Sequence, residues 1–541
     1  MTLASSPAAR GIARAALAVA LVTVVARIVG LGRTVVLAAT VGDSAFVGNT
    51  YGAANTLPNI VFEIVAGGAL AAVVVPVLAA DVARGDADRV RRTASGILTW
   101  TVVVLTPVAI AGAIAARPLM GVLVGQVDDP GVRAAQVDLG ARMLLVFMPQ
   151  VVLYGVGIVL AGVLQAHRRF LGPALAPLLS SLVVVSAYLA YAGVAGPGLP
   201  GTVSRREELI LSVGTTCGVA ALSLSLLVPA SLLGLRLRPS LRLPVGVGAQ
   251  VRRLALAAGA GVVAQQVALL VALVVTNGRP GAVIAYQLAY TVFLLPWGVL
   301  AVPLATSAFP AMAADAGDAP ARFASTVSAA ARSMVAVCAL ASAVLWAVHR
   351  PLAGLLPYEP GGASVVDGRR AVAAGIAALV VGLVPYGLLA LLTRALFARG
   401  RALHAGGATV TGFVVVAVTT AVLGARWPDE PVRAVAVAHT AGITVAAVLL
   451  LLALRRDAGA AATRGMRRVL ATSLPAGVAS AVAGRLVADR MADGTTDATR
   501  LAGTCAAVAV AVATVHIGVL AATRSPELSG ALGALGRWRH G

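Results

Sequence analysis

Long apolar stretches recur along the whole chain, broken at short intervals by clusters of arginine, proline, glycine and aspartate. A helix needs about 20 residues to cross a bilayer core. The stretches meet that length and predict fourteen spanning helices, at 12–39, 45–79, 94–116, 141–165, 174–195, 208–234, 254–276, 281–312, 328–348, 371–397, 406–425, 434–454, 469–488 and 501–522. The spacers leave no room for a sizeable soluble domain, which excludes a separate cytoplasmic enzyme domain. A basic, signal-like segment precedes the first stretch, but the apolar run continues past Arg27 with no small-residue cleavage site, so it is expected to be a retained span. A transmembrane β-barrel would show alternating segments of about ten residues and aromatic girdles instead. The expected fold class is an all-α polytopic membrane protein.

Helices four and ten resemble one another. Helix four carries Pro149 in its outer half and ends in the basic run Leu164-Gln-Ala-His-Arg-Arg-Phe170, while helix ten runs from Pro385 to Arg394-Ala-Leu-Phe-Ala-Arg-Gly-Arg401. Being six helices apart, they suggest two pseudo-symmetric six-helix lobes related as parallel repeats. The expected divisions are 1–234 for helices one to six, 235–455 for helices seven to twelve, and 456–541 for two further helices and a short cytoplasmic tail. Gly30, Pro58, Pro149 and Pro385 are the expected hinge positions, since glycine and proline weaken a helix interior.

Composition supports a membrane protein. Of 541 residues, 59% are hydrophobic and 12% charged, against about a quarter charged in soluble domains. Aromatics make up only 4%, and the surplus of Ala, Val, Leu and Gly suits helices that pack through small residues. All 42 basic residues are arginine and the formal net charge is +21. Placing both termini in the cytoplasm puts 25 arginines in inner loops and tails and 13 in outer loops, with most of the acids also outside. The positive-inside rule favours that orientation. The basic charge thus speaks to topology and anionic lipid rather than to nucleic acid, and the expected location is the bacterial cytoplasmic membrane.

Cys217, Cys338 and Cys505 lie in apolar runs without a CxxC pair, so they are expected to be small core residues, with no metal site. No HExxH, Walker A or GxSxG run occurs. The expectation is a non-enzyme without a cofactor. Transport without a nucleotide site is passive or coupled to the membrane potential or a monovalent cation.

Charge at the bilayer centre costs about 2.5–3.5 kcal/mol or more, which makes intramembrane polar groups functional candidates. Helix one holds Arg27 and Arg33, six residues or about 9 Å of rise apart and expected on broadly the same side, with Gly30 and Gly32 between them. Asn55, Asn59 and Glu63 form a stripe at i, i+4 and i+8 on helix two, interrupted by Pro58. Gln265, Gln266 and Gln287 add neutral polarity on helices seven and eight. The structural alternatives are an arginine strut to Glu63, snorkelling arginines and glutamines as interhelical hydrogen-bond glue. Arg394 reads as a topology anchor, and His516 as a packed or hydrogen-bonded histidine.

The segments ARIVGLGRTVVLAATVG and NTLPNIVFEIVAGGALAAVVVPVLA resemble the opening helices of the MurJ/MviN lipid II flippase family of the multidrug/oligosaccharidyl-lipid/polysaccharide exporter superfamily. LVFMPQVVLYGVGIVLAGVLQAHRRFLGPALAPLLSSLVV, LLPWGVLAVPLATSAFPAMA and GLVPYGLLALLTRALFARG match further family segments in the same order. The resemblance implies a fourteen-helix, two-lobe transporter whose central cavity opens alternately to either side. It also implies outward movement of an undecaprenyl-diphosphate-linked peptidoglycan precursor, with Arg27 and Arg33 as the diphosphate ligands. Helices thirteen and fourteen would form a groove for the lipid tail. The implied partners are that lipid-linked anionic glycan and membrane lipids, with cell-wall synthesis proteins as further candidates. The chain departs from the family pattern: paired arginines after LPN are Phe62 and Glu63 here, an acid in the AEGA-like segment is Gly67, an early acid on helix two is Asn49, and an arginine on helix eight is Thr291. Another polyprenyl-linked glycan, or a small cationic drug exported by ion coupling, are the alternative cargoes, and a non-transporting scaffold for cell-wall synthesis enzymes is a third reading.

Overall fold

The computed structural model describes residues 7–64, 74–75, 77–78, 81–82, 84–196, 198–235, 237–243, 247–317, 319–360, 367–491 and 497–523, without the side chains of 7–21, 23, 24 and 247–258. Among the described residues the regular elements are all helices. Those of the first half are α1 (Pro7–Thr40), α2 (Ala45–Glu63), α3 (Ala87–Ile114), α4 (Ala116–Leu123), α5 (Pro130–Phe147), α6 (Gln150–Ala166), α7 (Leu171–Ala192), α8 (Arg205–Leu224), α9 (Leu227–Ser231) and α10 (Val247–Asn277). The second half holds α11 (Ala282–Pro296), α12 (Val302–Asp315), α13 (Pro320–Leu355), α14 (Gly368–Leu379), α15 (Leu383–Ala398), α16 (Ala402–Arg426), α17 (Pro431–Ala458), α18 (Met466–Met491) and α19 (Ala498–Ala522). Twelve helical stretches among the described residues are long and apolar enough to cross a membrane, some of them built from two helices in succession. They fall one to one on the third to fourteenth stretches predicted from the sequence. The first two predicted spans are represented by α1 and α2, and residues 65–73 of the second, Gly67 included, lie outside the described residues.

The chain divides into two compact units, Met1–Gln266 and Val267–Gly541. In the first, α1 packs on α7, α7 on α8, α2 on α5, and α3 and α8 on α6. In the second, α16 and α15 pack on α17, α11 on α14, and α18 and α19 on α13 and on each other. The added helix pair is therefore joined to the second unit by a core of small side chains, with Ala343, Ala347, Ala481, Ala488, Val508 and Val512 buried together. Such surfaces let helix backbones approach closely where lipid supplies no hydrophobic drive for association.

Four of the acids read as outer-loop residues, Asp129, Glu207, Asp367 and Asp497, serve helix starts. Asp129 accepts from the Gly131 and Val132 amides at 2.7 and 2.9 Å, directly ahead of Pro130. Ser204 and Glu207 form a capping box at the start of α8, and Asp367 and Asp497 cap α14 and α19. Each carboxylate satisfies amides that the helix leaves open and meets the positive end of its dipole.

Pro149 and Pro385 both mark real discontinuities. The α5–α6 stretch breaks at Met148 and Pro149, and α14 and α15 are joined by a 3₁₀ turn, Val380–Gly382, with Pro385 in the first turn of α15 where its missing N–H is harmless. Hydroxyls of neighbouring helices serve carbonyls at both places. Thr216 Oγ1 donates to the Val146 carbonyl at 3.0 Å and accepts from Gln150 Nε2 at 2.8 Å. At the second break, Ser342 Oγ donates to the Val380 carbonyl and Thr440 Oγ1 to the Ala378 carbonyl, each at 2.8 Å. Irregular backbone at membrane depth requires such partners. Thr216→Val is expected to cost about 1–3 kcal/mol, because it leaves a half-buried carbonyl and the Gln150 amide unpaired; a lowered thermal midpoint of the purified protein checks this, with Thr216→Ser as the control that retains it.

α1 and α2, in contrast, run unbroken through Gly30 and Pro58. No described atom lies within 4 Å of where a Cβ on Gly30 or Gly32 would stand, so these glycines do not admit a neighbouring backbone there. Of the cysteines expected in the core, Cys338 is buried and Cys505 half-buried, whereas Cys217 on α8 is exposed. His516 is buried, with its Nδ1 3.4 Å from Ser480 Oγ, as a packed, hydrogen-bonded histidine. Arg394 donates to the Ala390 carbonyl on its own helix at 2.7 Å.

Candidate functional site

The first unit gathers hydroxyls and amides on the inner face of α2. Tyr51 is buried, and its hydroxyl lies 2.9 Å from that of Tyr188 on α7 and 2.8 Å from Thr215 Oγ1 on α8. Phe147 meets the Tyr51 ring edge-on at 5.9 Å. Two turns further along α2, Asn59 Oδ1 accepts from the Tyr154 hydroxyl of α6 at 2.7 Å, and Asn59 Nδ2 donates to the Asn55 carbonyl at 2.9 Å. Phe62 packs on the Tyr154 ring with centroids 4.4 Å apart.

Arg33 supplies the charge of this cluster. The Arg33 side chain is exposed, yet its guanidinium acts electrostatically on the hydroxyls of Tyr51, Tyr154 and Tyr188 together. The cluster thus sets one permanent cation within reach of hydroxyls that are themselves hydrogen-bonded to one another, to Thr215 and to Asn59, and it is the guanidinium that suits a phosphate or diphosphate group. Arg27 is exposed as well. Six residues at about 100° each turn it about 120° from Arg33 around α1, which corrects the expectation that the two share one side.

The stripe on α2 is divided between structure and surface. Asn49 is fully buried, Asn55 and Asn59 are half-buried, Pro58 is buried, and Glu63 at the described end of the helix is exposed. On α10, Gln266 is buried and its Oε1 has no hydrogen-bond partner among the described residues, while Gln265 is half-buried. Gln287 on α11 is half-buried, and its carbonyl accepts from Thr291 Oγ1 at 2.7 Å. Among the described residues no group of three or more His, Cys, Asp or Glu side chains is placed to hold a metal.

Sequence reasoning passes over the tyrosines. The chain has only 8, and three of them build the Arg33 cluster, while Tyr286, Tyr290 and Tyr386 meet in the second unit. There Phe293 and Tyr386 lie 5.6 Å apart, Trp297 and Tyr386 5.0 Å apart, and the buried His439 touches Tyr290, Phe293 and Tyr386 at 5.6, 5.9 and 5.8 Å. Trp297 opens a π-helical turn, Trp297–Ala301, between α11 and α12, a local departure from regular α-helix. Tyrosines scattered through an aromatic-poor chain are the one signal the sequence offers for them.

The second unit also carries an apolar groove of about 580 Å³ lined by α13, α15, α17 and α18, with Ser342, Trp346, Val384, Leu451, Leu474 and Val478 among its walls. Val381, Val448, Val478 and Val482 on its rim are exposed. A groove with apolar walls and an exposed apolar rim on a membrane-spanning bundle accommodates a hydrocarbon chain.

The helix order and packing define a multi-pass membrane transporter fold. A solved structure described as "Lipid II flippase MurJ, inward closed conformation" matches over 93% of this chain and 98% of that one, with a TM-score of 0.72 and 15% identity. An inward-facing transporter of the multidrug resistance MATE family, of the MOP superfamily, matches over 82% and 99%, with a TM-score of 0.65 and 14% identity. The family described as "Lipid II flippase MurJ" matches residues 37–492, and the chain belongs to that family. Two curated proteins called "Probable lipid II flippase MurJ" are similar to it: one from Rhizobium tropici, 27% identical over 273 residues, and one from Rhizobium meliloti (strain 1021), 25% identical over 271 residues. The similar stretch covers 48% and 49% of this chain and 48% of each relative, so the chain spans about half the length of the curated relatives it matches.

Proposed function

We propose that the protein flips a polyprenyl-diphosphate-linked peptidoglycan precursor, lipid II, from the inner to the outer leaflet by alternating access. The observation that carries this reading is the exposed guanidinium of Arg33 within electrostatic reach of the Tyr51, Tyr154 and Tyr188 hydroxyls, a cation for a diphosphate beside a polar cluster. Arg27, about 9 Å along the helix, is the second candidate ligand. The groove of the second unit supports the reading by offering the lipid tail an apolar path. Both termini lie in the cytoplasm under the arginine asymmetry.

The charge signs argue against a cationic drug as cargo. The buried acids Asp81 and Glu208 are each engaged by two arginines, and Glu207 accepts from the Gly196 and Ser204 amides, so their charge is already used. No cofactor enters the proposal. The driving force is the membrane potential, worth about 2.3 kcal/mol per charge per 100 mV, or a monovalent cation gradient.

Reconstitution into vesicles loaded with lipid II tests the reading. Headgroup appearing on the far face, faster under an imposed potassium diffusion potential, is the expected result. Vesicles that expose headgroup no faster than protein-free ones defeat it, and export of a cationic dye with no movement of lipid II favours the exporter.

A further inference from the structure

The apolar groove of the second unit ends on positive charge. On α18 its lining residues Leu470, Leu474, Val478 and Val482 rise along one face, and the next position on that face is Arg485. On α13 the lining residues Ala339, Ser342 and Trp346 lead one turn on to His349 and Arg350. Both stripes therefore finish in guanidinium groups, six residues before the end of α18 and five before the end of α13, at the end of the spans expected from the sequence, where a lipid headgroup would meet hydrocarbon.

These groups lie within electrostatic reach of one another. Arg350 and Arg485 act electrostatically on one another, and both act on His349. Asp489 takes one arm of Arg485, but Arg485 Nη1 is buried without a hydrogen-bond partner among the described residues. A buried guanidinium N–H with no acceptor is costly, and a second arginine beside it deepens the deficit of negative charge. A phosphate oxygen would relieve both, because guanidinium forks bind oxygen pairs.

We propose that this end of the groove is a binding site for the phosphate or diphosphate headgroup of a polyprenyl lipid whose chain lies in the groove. The choice of a polyprenyl chain rests on the flippase reading above. Under the proposed orientation α13 and α18 end on the outer face, so the site holds the cargo after translocation and before release.

The test measures binding of undecaprenyl diphosphate to the purified full-length chain in nanodiscs, with Arg33→Ala as the background so that the first unit contributes least. Arg350→Gln/Arg485→Gln is expected to weaken binding about tenfold or more. Arg350→Gln alone alters an exposed side chain and so keeps the fold, and it is expected to weaken binding several-fold. Val478→Trp, which fills the groove, weakens it as well. Inorganic pyrophosphate and phosphatidylglycerol are the competing probes, and neither is expected to displace the polyprenyl lipid. Unchanged affinity in the two glutamine variants overturns the proposal, as does equal displacement by pyrophosphate, a free-anion site, or by phosphatidylglycerol, a general anionic-lipid site. The two readings separate cleanly. Loss of flipping in Arg33→Ala with unchanged affinity in the glutamine variants removes this site and keeps the flippase. Arg485-dependent binding in a protein that moves no lipid II removes the flippase and keeps the site.

Discussion

Replacing Arg33 with alanine is expected to abolish transport of lipid II in vesicles and the rescue of a flippase-depleted strain, while the protein stays folded. The folding expectation follows from the exposure of the side chain, since no core packing is lost. The transport expectation follows from charge: Arg33 acts electrostatically on three hydroxyls contributed by α2, α6 and α7, and its removal takes away the cation of that cluster that would meet the diphosphate. A charge-assisted hydrogen bond is worth about 1.5–3 kcal/mol, so a bidentate contact accounts for a loss of about a hundredfold or more. Arg33→Lys keeps the charge but not the planar fork, and is expected to recover only a small part of the rate. Arg27→Ala, directed about 120° away around α1, is expected to have the smaller effect. Wild-type transport in Arg33→Ala sinks the assignment of this cluster as the headgroup site.

Gly442→Leu is expected to prevent folding of the second unit. At the crossing of α16 and α17 a Cβ on Gly442 would stand 2.5 Å from the Gly412 carbonyl oxygen and 2.7 Å from the Val416 amide nitrogen, while one on Gly412 would stand 2.5 Å from the Ala446 Cβ and 2.9 Å from the Gly442 carbonyl oxygen. Backbone atoms cannot step aside as a side chain can. Even alanine forces the two helices apart, a cost of about 1–3 kcal/mol for overpacking, and leucine requires a far larger separation. The check is the yield and thermal midpoint of the purified protein: Gly442→Ala should lower the midpoint, and Gly442→Leu should leave little folded protein. Gly407→Ala, with open space around its Cβ, is the control expected to be harmless. A Gly442→Leu protein with the wild-type midpoint contradicts the close crossing.

Part of the candidate site is legible in the amino-acid sequence. Arg33 and the Asn55–Asn59–Glu63 stripe stand out because polar groups are rare within apolar runs, and Pro149 and Pro385 stand out because their runs match. Tyr51, Tyr154 and Tyr188 do not, since an isolated tyrosine in an apolar helix scores as another large apolar residue; the partners of the Tyr51 hydroxyl lie 137 and 164 positions away. Charge bias assigns the acids to the outside, yet Asp129, Glu207, Asp367 and Asp497 serve helix starts. The Ser204-Arg-Arg-Glu207 spacing of a capping box is readable for one of them.

The sequence by itself determined where the chain can span a membrane and how its arginines bias the orientation. The physical reason is local: in hydrocarbon each span must satisfy its own backbone, so length and apolarity within one segment decide the matter. Only the tertiary structure decided which polar groups meet, which glycines are crowded, and where an apolar groove ends on Arg350 and Arg485. Lipid is as apolar as the helix surfaces, so no hydrophobic sorting tells one face from another along the sequence. The faces are chosen by packing between helices far apart in the chain. That packing brought three distant tyrosines within electrostatic reach of Arg33 and left Cys217 exposed.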